Sequence, residues 1–498
     1  MYQNRKSGIL LHPTSLPGAG GIGALGADAR YFVDFLHAAG QSLWQVLPLG
    51  PVTYGNSPYS CYSAFAGNPL LIDIDTIAAE GDISCPDIQA ELPHDRVDFG
   101  QVERSKGDAL RSAAAQFFAG DDSLRMQEFR HFCDATPWLH DYALFMALKE
   151  EYYGKSWYSW PEDIVHRTAA ALDDCSKRLE KAIGEQKYMQ WQFHRQWHRI
   201  RQYANSKGIG IVGDLPIFVA QDSADVWANP HLFHLDERGR PTAVAGVPPD
   251  YFSENGQLWG NPLYNWEVNA FEGYRWWIER MRCSLDLYDS VRVDHFRGFE
   301  AYWEVPAKER TARNGRWVKG PGEDLFNALL DALGPLPIIA EDLGVITPDV
   351  EALRDKFRFP GMKILQFAFG SGPDNQYLPH NHVRESVVYT GTHDNDTTAG
   401  WYAALKSKEK EQVMAYIGSN GRDIAWDLVR AALASVADTA VIPLQDILGL
   451  GSSARMNVPG TAVGNWSWRC AHDDLNERLA ARLCDVTELF GRLSQKRH

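Results

Sequence analysis

Three acidic residues follow short β-like runs in this chain, and their type and placement predict glycosidic-bond chemistry. Asp294 closes VRVD, Glu341 closes PIIAE and Asp394 closes VVYTGTHD. The carboxyl ends of barrel strands meet at one rim, so acids at several strand ends can converge on one substrate. Cleaving a glycosidic bond requires two carboxylates that flank it. Any one of these acids alone could equally cap a helix or face solvent, but three in this order favour a reaction site.

Arg292, two residues before Asp294, influences what that acid can do. Side chains alternate between the faces of a strand, so Arg292 and Asp294 share one face, about 7 Å apart along the strand. A carboxylate beside a guanidinium stays ionised at neutral pH, and an ionised carboxylate can act as a nucleophile. The alternative is a divalent-metal site of the enolase type, but a guanidinium would repel the cation. We therefore predict that no metal and no organic cofactor takes part.

The chemistry expected of these acids is a retaining double displacement. Asp294 would attack the anomeric carbon, and Glu341 would protonate the leaving oxygen and then deprotonate the incoming hydroxyl; such a pair stands about 5 to 5.5 Å apart, which adjacent strands can provide. Asp394 would bind sugar hydroxyls and favour the positively charged transition state. Crowding by the two other carboxylates predicts a raised pKa for Glu341, which keeps its proton available.

Composition excludes several other classes of function. The chain has 498 residues, 45% of them hydrophobic and 23% charged, which is ordinary for a globular protein. Its formal net charge of −15, without a Lys/Arg-rich run, argues against nucleic acid as a partner. Seven cysteines without metal-binding spacing predict reduced thiols and a cytoplasmic location. No signal-peptide pattern and no run of about 18 apolar residues occurs, so we expect neither secretion nor a membrane span.

Short apolar runs predict the fold that positions the acids. Helical patterns lie between most of the runs, which favours parallel βα units and an α/β fold, the (β/α)₈ TIM barrel. On this assignment the third run ends at Asp214, the fourth at Asp294, the fifth at Glu341 and the seventh at Asp394. The eight runs are GILL from Gly8, SLWQVLP from Ser42, GIGIVGD from Gly208, SVRVD from Ser290, PIIAED from Pro337, MKILQF from Met362, SVVYTGT from Ser386 and TAVIPLQ from Thr439.

The barrel does not use the whole chain. Residues 1–74 are expected to hold its first two strands, 75–205 a mainly helical insertion, and 206–498 the remainder with long loops over the carboxyl-terminal face. Within the last part, the segment from Val247 to Pro262 has prolines, glycines and aromatic residues but little helical or strand character. We expect it to be a lid over the site.

Aromatic residues in polar loops are candidates for sugar contacts. Sugar rings present apolar faces that stack on aromatic side chains. Of the 17 Trp and 20 Tyr, most are expected to be core residues, but Tyr54 and Tyr59 in TYGNSPYS and Trp259 in ENGQLWGNP lie in Gly/Pro-rich segments. A glucan-binding module without catalysis could show the same aromatic residues. It would not need Arg292, Asp294 and Glu341 together.

The sequence resembles the 4-α-glucanotransferases, the amylomaltases or disproportionating enzymes of the α-amylase clan. Long and specific blocks carry the resemblance over nearly all of the chain. Among them are GILLHPTSLPG, YGNSPYSCYSAFAGNPLLID, GVPPDYFSENGQLWGNPLYNW, VRVDHFRGFEAYWEVP, IIAEDLGVITPDVEALRD, GTHDNDTTAGW and RMNVPGTAVGNWSWR.

The resemblance implies transfer of an α-1,4-glucan segment to the 4-hydroxyl of another glucan or glucose, including disproportionation and cyclisation. By motif, Asp294 is similar to the family's nucleophile, Glu341 to its acid/base and Asp394 to its transition-state stabiliser. The expected partners are α-1,4-glucans with glucose or maltooligosaccharide acceptors, neither nucleic acid nor membrane, and the expected state is a monomer or weak homo-oligomer. The predicted substrate-binding residues are Tyr54, Ser57, Tyr59, Asp214, Asp250, Gln257, Trp259, Arg292, His393 and Asn465.

One departure from the wider clan concerns the fate of the reaction. No His follows Asp214 in GDLPIFVA, where hydrolytic amylases usually carry one, and the amylomaltase branch shares this absence. It places hydrolysis in doubt, while an α-glucan hydrolase of the same clan remains the alternative.

Overall fold

A computed structural model describes residues 5–53, 55–83, 92–249, 253–461 and 463–493 of the chain. The strands alternate with helices along most of its length, as the hydrophobic pattern predicts. The strands are β1 Lys6–Leu10, β2 Leu43–Gln45, β3 Gly210–Pro216, β4 Ala243–Val247, β5 Gln257–Pro262, β6 Ser290–Asp294, β7 Ala301–Pro306, β8 Arg316–Lys319, β9 Ile338–Ala340, β10 Gly361–Ile364, β11 Ser386–Tyr389 and β12 Thr439–Pro443.

The main sheet is an eight-stranded parallel barrel. Its strand order is β10-β11-β12-β1-β2-β3-β6-β9, and each neighbouring pair is parallel. The ends of this order meet where the main-chain N–H of Ala340 donates to Pro360 O at 2.9 Å. Each of the eight predicted runs overlaps one of these strands, so the predicted (β/α)₈ barrel is confirmed. Their continuous apolar sequence suits strands that are covered on both faces.

Helices surround the barrel and fill its longest connection. The helix before β6, α11 Arg275–Leu287, buries Trp277 and Met281 against the rest of the fold. The helices are α1 Ala27–Ala38, α2 Ile74–Ala79, α3 Phe99–Ala119, α4 Ser123–Ala135, α5 Leu139–Glu151, α6 Glu162–Val165, α7 Ala169–Arg178, α8 Glu180–Ser206, α9 Ala224–Ala228, α10 Trp266–Phe271, α11 Arg275–Leu287, α12 Gly322–Leu333, α13 Pro348–Lys356, α14 Thr398–Ala404, α15 Ser407–Ile417, α16 Ile424–Ala434, α17 Leu444–Ile447 and α18 Glu477–Leu489.

The connection between β2 and β3 is mainly helical from Ile74 onward. Helices α2 to α8 occupy it, and residues 75–83 and 92–205 contain no strand. The longest of them, α8, packs directly on the barrel: the indole N–H of Trp197 donates to Leu287 O at 2.9 Å, and the ring faces Trp44 of β2 with centroids 6.2 Å apart. These helices therefore share one hydrophobic core with the barrel.

A second, antiparallel sheet interrupts the barrel. Its strand order is β5-β4-β7-β8, and β7 follows soon after the end of β6. The prediction that Val247 to Pro262 has little strand character is wrong, because Gln257–Pro262 forms β5 and pairs with Ala243–Val247. The composition of the segment did not reveal this, since the pairing of β4 with β7 that supports it comes from a distant part of the chain.

Among the described residues, no helix combines the length and apolar character that crossing a membrane would require.

Candidate active site

Arg292 connects two carboxylates at the centre of the site. Its Nη1 donates to both carboxylate oxygens of Asp214 at 2.8 Å, and its Nη2 donates to Asp294 Oδ1 at 2.9 Å. The strands make this possible, because Asp214 of β3 lies opposite Arg292 of β6. Arg292 and Asp294 are two residues apart and therefore share one face of β6. Asp294 ends β6 as predicted, whereas Asp214 lies inside β3, two residues before its end at Pro216.

The two carboxylates differ in their access to solvent. The Asp214 side chain is 0% exposed and that of Asp294 is 29% exposed. Burial by itself would lower the pKa of the Arg292 guanidinium, but Asp214 and Asp294 together raise it well above its ordinary value. Arg292 is therefore a fixed positive charge that is anchored below by Asp214 and presents Asp294 toward the opening.

Glu341 directly follows β9, which ends at Ala340, whereas the sequence predicted Glu341 as the last residue of that strand. Its carboxylate accepts the main-chain N–H of His295 on Oε2 at 2.7 Å and that of Leu343 on Oε1 at 2.9 Å. Burial and, secondly, the negative charge of Asp294 raise the pKa of Glu341 to about 8. The predicted direction is thus correct, although burial contributes more than the crowding of acids, and the group holds a proton at neutral pH.

Asp394 lies well beyond its strand, because β11 ends at Tyr389. The prediction that it closes the seventh barrel strand is therefore wrong. Its position is set by long-range hydrogen bonds: Asn457 Nδ2 donates to Asp394 Oδ1 at 2.6 Å, and Arg455 Nη2 donates to its main-chain oxygen at 2.6 Å. The side chain is 49% exposed, so it faces the open part of the site.

Tyr59 and His393 form an aromatic wall beside these acids. The Tyr59 hydroxyl donates to Asp214 Oδ2 at 2.7 Å, and its ring stacks on that of His393 with centroids 4.9 Å apart. His393 Nε2 lies 3.3 Å from Asp394 Oδ1, which joins the wall to the third acid. Behind both rings lies Trp466, which is only 5% exposed and has a positive φ of 64°.

Three predicted substrate contacts bond to residues near them in the sequence. Ser57 Oγ accepts the main-chain N–H of Tyr59 at 3.3 Å and so supports that residue's turn. The Asn465 amide is used within its own loop, where it accepts from Val458 N and donates to Thr461 O. Gln257 Oε1 accepts a hydrogen bond from the Trp259 indole N–H at 3.2 Å. The two other predicted contacts, Tyr54 and Asp250, lie outside the described residues.

Trp259 approaches the site from the second sheet. Its indole lies edge-on to His295, with ring centroids 4.8 Å apart, and is also near Phe218 at 6.4 Å. It nevertheless remains 38% exposed. Trp259 thus combines a packed edge with an accessible face, which suits stacking on a sugar ring.

Residues with clear structural roles here were missed by sequence reasoning. Asn457 and Arg455 fix Asp394, and His295 bonds to Glu341 through its main chain. The first two lie in the RMNVPG block after β12, and nothing in their spacing indicated the contact. His295 directly follows Asp294, and its place in the sequence gives no sign of the bond to Glu341. In the part of the chain that is described, no group of three or more His, Cys, Asp or Glu side chains is arranged to hold a metal ion.

Comparison with known proteins agrees with this geometry. The family model described as 4-alpha-glucanotransferase matches residues 11–475. The chain belongs to this family. Among curated members of the family, the 4-alpha-glucanotransferase of Synechocystis sp. is 53% identical over 99% of this chain and 99% of its own. That of Thermus thermophilus is 50% identical over 98% of this chain and 99% of its own.

Two solved amylomaltase structures have the same fold as this chain. The amylomaltase from Streptococcus agalactiae, determined in complex with acarbose, is 40% identical with a TM-score of 0.96, covering 98% of this chain and 100% of that one. The amylomaltase from Corynebacterium glutamicum has a TM-score of 0.76 at 19% identity and covers 99% of this chain and 75% of that one, which shows a shared fold. Membership in a transferase family does not favour the hydrolase alternative.

Proposed function

We propose that this 4-alpha-glucanotransferase family member moves a segment of an α-1,4-glucan to the 4-hydroxyl of another glucan or of glucose by a retaining double displacement. The observation that carries the proposal is the difference between two neighbouring acids. Asp294 is paired with the Arg292 guanidinium at 2.9 Å, whereas Glu341 has a pKa of about 8. One acid is thus equipped to be a nucleophile and the other to be a proton donor.

In the first step Asp294 attacks the anomeric carbon of the donor. A bond forms between an Asp294 carboxylate oxygen and that carbon, the bond to the leaving glucan's O4 breaks, and the Glu341 proton moves to that oxygen. Asp394 faces the same opening and is held by Asn457 at 2.6 Å, which fixes a negative charge for the oxocarbenium-like transition state.

The second step reverses the role of Glu341. Forming the glycosyl ester removes the negative charge of Asp294, which is the second cause of the raised Glu341 pKa. The pKa of Glu341 therefore falls once the intermediate exists, and its carboxylate can accept the proton of the acceptor's 4-hydroxyl. That oxygen attacks the anomeric carbon, the ester bond to Asp294 breaks, and the configuration is retained.

Other side chains would hold the donor sugar beside Asp294. Tyr59 and His393 provide an aromatic and hydrogen-bonding wall, and Arg292 fixes the nucleophile from below. The accessible face of Trp259 would stack on a glucose ring next to the cleavage point. Tyr54, Ser57, Asp250, Gln257 and Asn465 stay predicted contacts by motif, and of these Asn465 would first have to exchange hydrogen bonds within its loop.

Incubation with maltotriose tests the proposal. We expect glucose together with a ladder of longer maltooligosaccharides, because each intermediate is passed to a sugar hydroxyl. Accumulation of glucose and maltose without a ladder would instead identify the hydrolase.

We also propose a cellular location and an oligomeric state for the protein. A cytoplasmic location is supported by the cysteines, since Cys61, Cys133, Cys175, Cys283 and Cys470 are free thiols. A monomer or weak homo-oligomer remains the expected state, and light scattering over a concentration series tests it.

A further inference from the structure

We infer that His295 is a positioning residue that couples the β4–β5 arm, residues Ala243–Val247 and Gln257–Pro262, to Glu341. The inference rests on the proposed acid/base role of Glu341. One residue makes both connections. Its main-chain N–H donates to Glu341 Oε2 at 2.7 Å, while its imidazole lies edge-on to the Trp259 indole at 4.8 Å with an interplanar angle of 83°.

The backbone of His295 is shaped to make the first connection. Its φ of 52° and ψ of 49° place it in the left-handed region, which is strained for a residue with a side chain. The reversal aims two successive N–H groups at one residue, because His295 N bonds to the Glu341 carboxylate and Phe296 N bonds to Glu341 O at 3.1 Å. The turn after β6 is therefore built around Glu341.

The imidazole of His295 acts as a neutral spacer rather than as a base. The residue is only 8% exposed, and burial lowers its pKa to about 4, with Asp294 and Arg297 acting in opposite directions. Its Nε2 is buried without a hydrogen-bond partner among the described residues, and its ring neighbours there are Trp259 and Phe218. A neutral ring in this setting keeps water away from the adjacent Glu341.

The arm acts on Glu341 by excluding water and not by charge. The charged and titratable groups that face Glu341 are Asp294 and Arg292 from β6 and Tyr377 from the segment after β10. The next residue, Asp342, turns its carboxylate to Arg354 and Met362 N. The two strands of the arm contain no titratable side chain. Loosening the contact between Trp259 and His295 would therefore hydrate Glu341 and lower its pKa.

The test is the pH dependence of kcat/KM for maltotriose disproportionation, which reports groups of the free enzyme. Glu341 must be protonated to act as the acid, so the wild type should lose activity as the pH rises through about 8. This loss is the alkaline limb of the pH profile. We expect His295→Ala and Trp259→Ala each to move this limb to lower pH by about half a unit to one unit. The double variant should move it no further, because both changes remove the same contact.

Two controls keep the result specific. Trp317→Ala makes the same substitution on the same sheet at 39% exposure, and its limb should match the wild type. His295→Asn retains a side chain that tolerates the left-handed conformation, so it replaces His295→Ala if thermal melting shows the latter to be unfolded. A lower activity with an unmoved limb in the folded His295 variant would overturn the inference.

The outcome also separates this inference from the proposed function. If the wild type produces no maltooligosaccharide ladder, the proposed function fails before His295 is considered. If the wild type transfers glucan and only the limb fails to move, the coupling through His295 is wrong and the assignment of the acids stands.

Discussion

Single residues at this site are specialised by their partners. Asp294 and Glu341 lie at the ends of paired strands, since Val293 of β6 is opposite Ala340 of β9. One acid is bonded to a guanidinium and the other to two main-chain N–H groups in a setting that favours its proton. This difference between otherwise similar carboxyl groups supports the different roles proposed for them, and each role can be tested separately.

We expect Asp294→Asn to abolish transfer while the protein stays folded. An amide cannot form the glycosyl ester, so activity should fall roughly 10³-fold or more. The fold should persist, because Arg292 keeps both of its bonds to Asp214. Product analysis on maltotriose and a thermal melt measure the two effects, with the exposed Asp374→Asn as matched control. A well-folded variant that loses only a few-fold in rate would reject Asp294 as nucleophile.

Glu341→Gln should be inactive and yet more stable than the wild type at high pH. The folded protein binds the Glu341 proton with a pKa of about 8, against an ordinary value of 4.5 in the unfolded chain. Its contribution to stability is therefore complete below pH 4.5 and is lost as the pH rises through about 8. Glutamine does not titrate, so the Tm difference, variant minus wild type, should grow from pH 5 to pH 9.

Thermal melts across this pH range measure the effect of Glu341→Gln. The exposed Glu351→Gln is a matched control, for which the Tm difference should stay constant with pH. A constant difference for Glu341→Gln as well would mean that its pKa is not raised in the folded protein.

Elements that rise from the barrel control access to these residues. The segment predicted to be a lid contributes β5 to the antiparallel sheet, so its Trp259 is carried by a paired strand rather than by a free loop. Pairing restrains where the indole can go, while its 38% exposure leaves a face for a sugar. We propose that the β4–β5 arm favours transfer over hydrolysis.

Trp259→Ala should weaken acceptor use and raise the share of turnovers that end in hydrolysis. A glycosyl intermediate reacts with whichever nucleophile is in line, so transfer requires that water be excluded and an acceptor held. The measured quantity is new reducing ends per glucose transferred, which we expect to rise several-fold. Trp317→Ala serves again as control. If total activity falls at an unchanged ratio, the arm contributes binding without directing the intermediate.

The whole molecule supplies a frame that holds the charged side chains of the site. The barrel closes between β9 and β10, and one hydrophobic core extends from it into α8. Rigid strands can hold reacting carboxylates within the tolerance that catalysis needs.

We predict that the reaction needs no metal ion. Arg292 lies between Asp214 and Asp294 and provides the positive charge that a cation would otherwise provide. Dialysis against EDTA should leave the rate of maltotriose disproportionation and the Tm unchanged. A loss of activity that Mg²⁺ or Ca²⁺ restores would contradict this and return attention to a metal site at the strand ends.

The sequence by itself determined the barrel and the identity of its acids. Continuous apolar runs mark strands that are buried on both faces, and this signal depends only on neighbouring residues. The two-residue period of a strand likewise placed Arg292 beside Asp294, and their hydrogen bond of 2.9 Å agrees with it. Asp294, Glu341 and Asp214 lie within two residues of their strand ends, close to the positions that the apolar runs predict.

Only the tertiary structure decided how the remaining parts meet. Asp394 is fixed by Asn457, 63 residues away, and Tyr59 meets His393 across 334 residues. The arm became two strands because β7 offers a pairing edge, and His295 touches both the arm and Glu341 because its backbone adopts a left-handed turn. These contacts depend on where the folded barrel brings distant segments, and local periodicity contains no information about that.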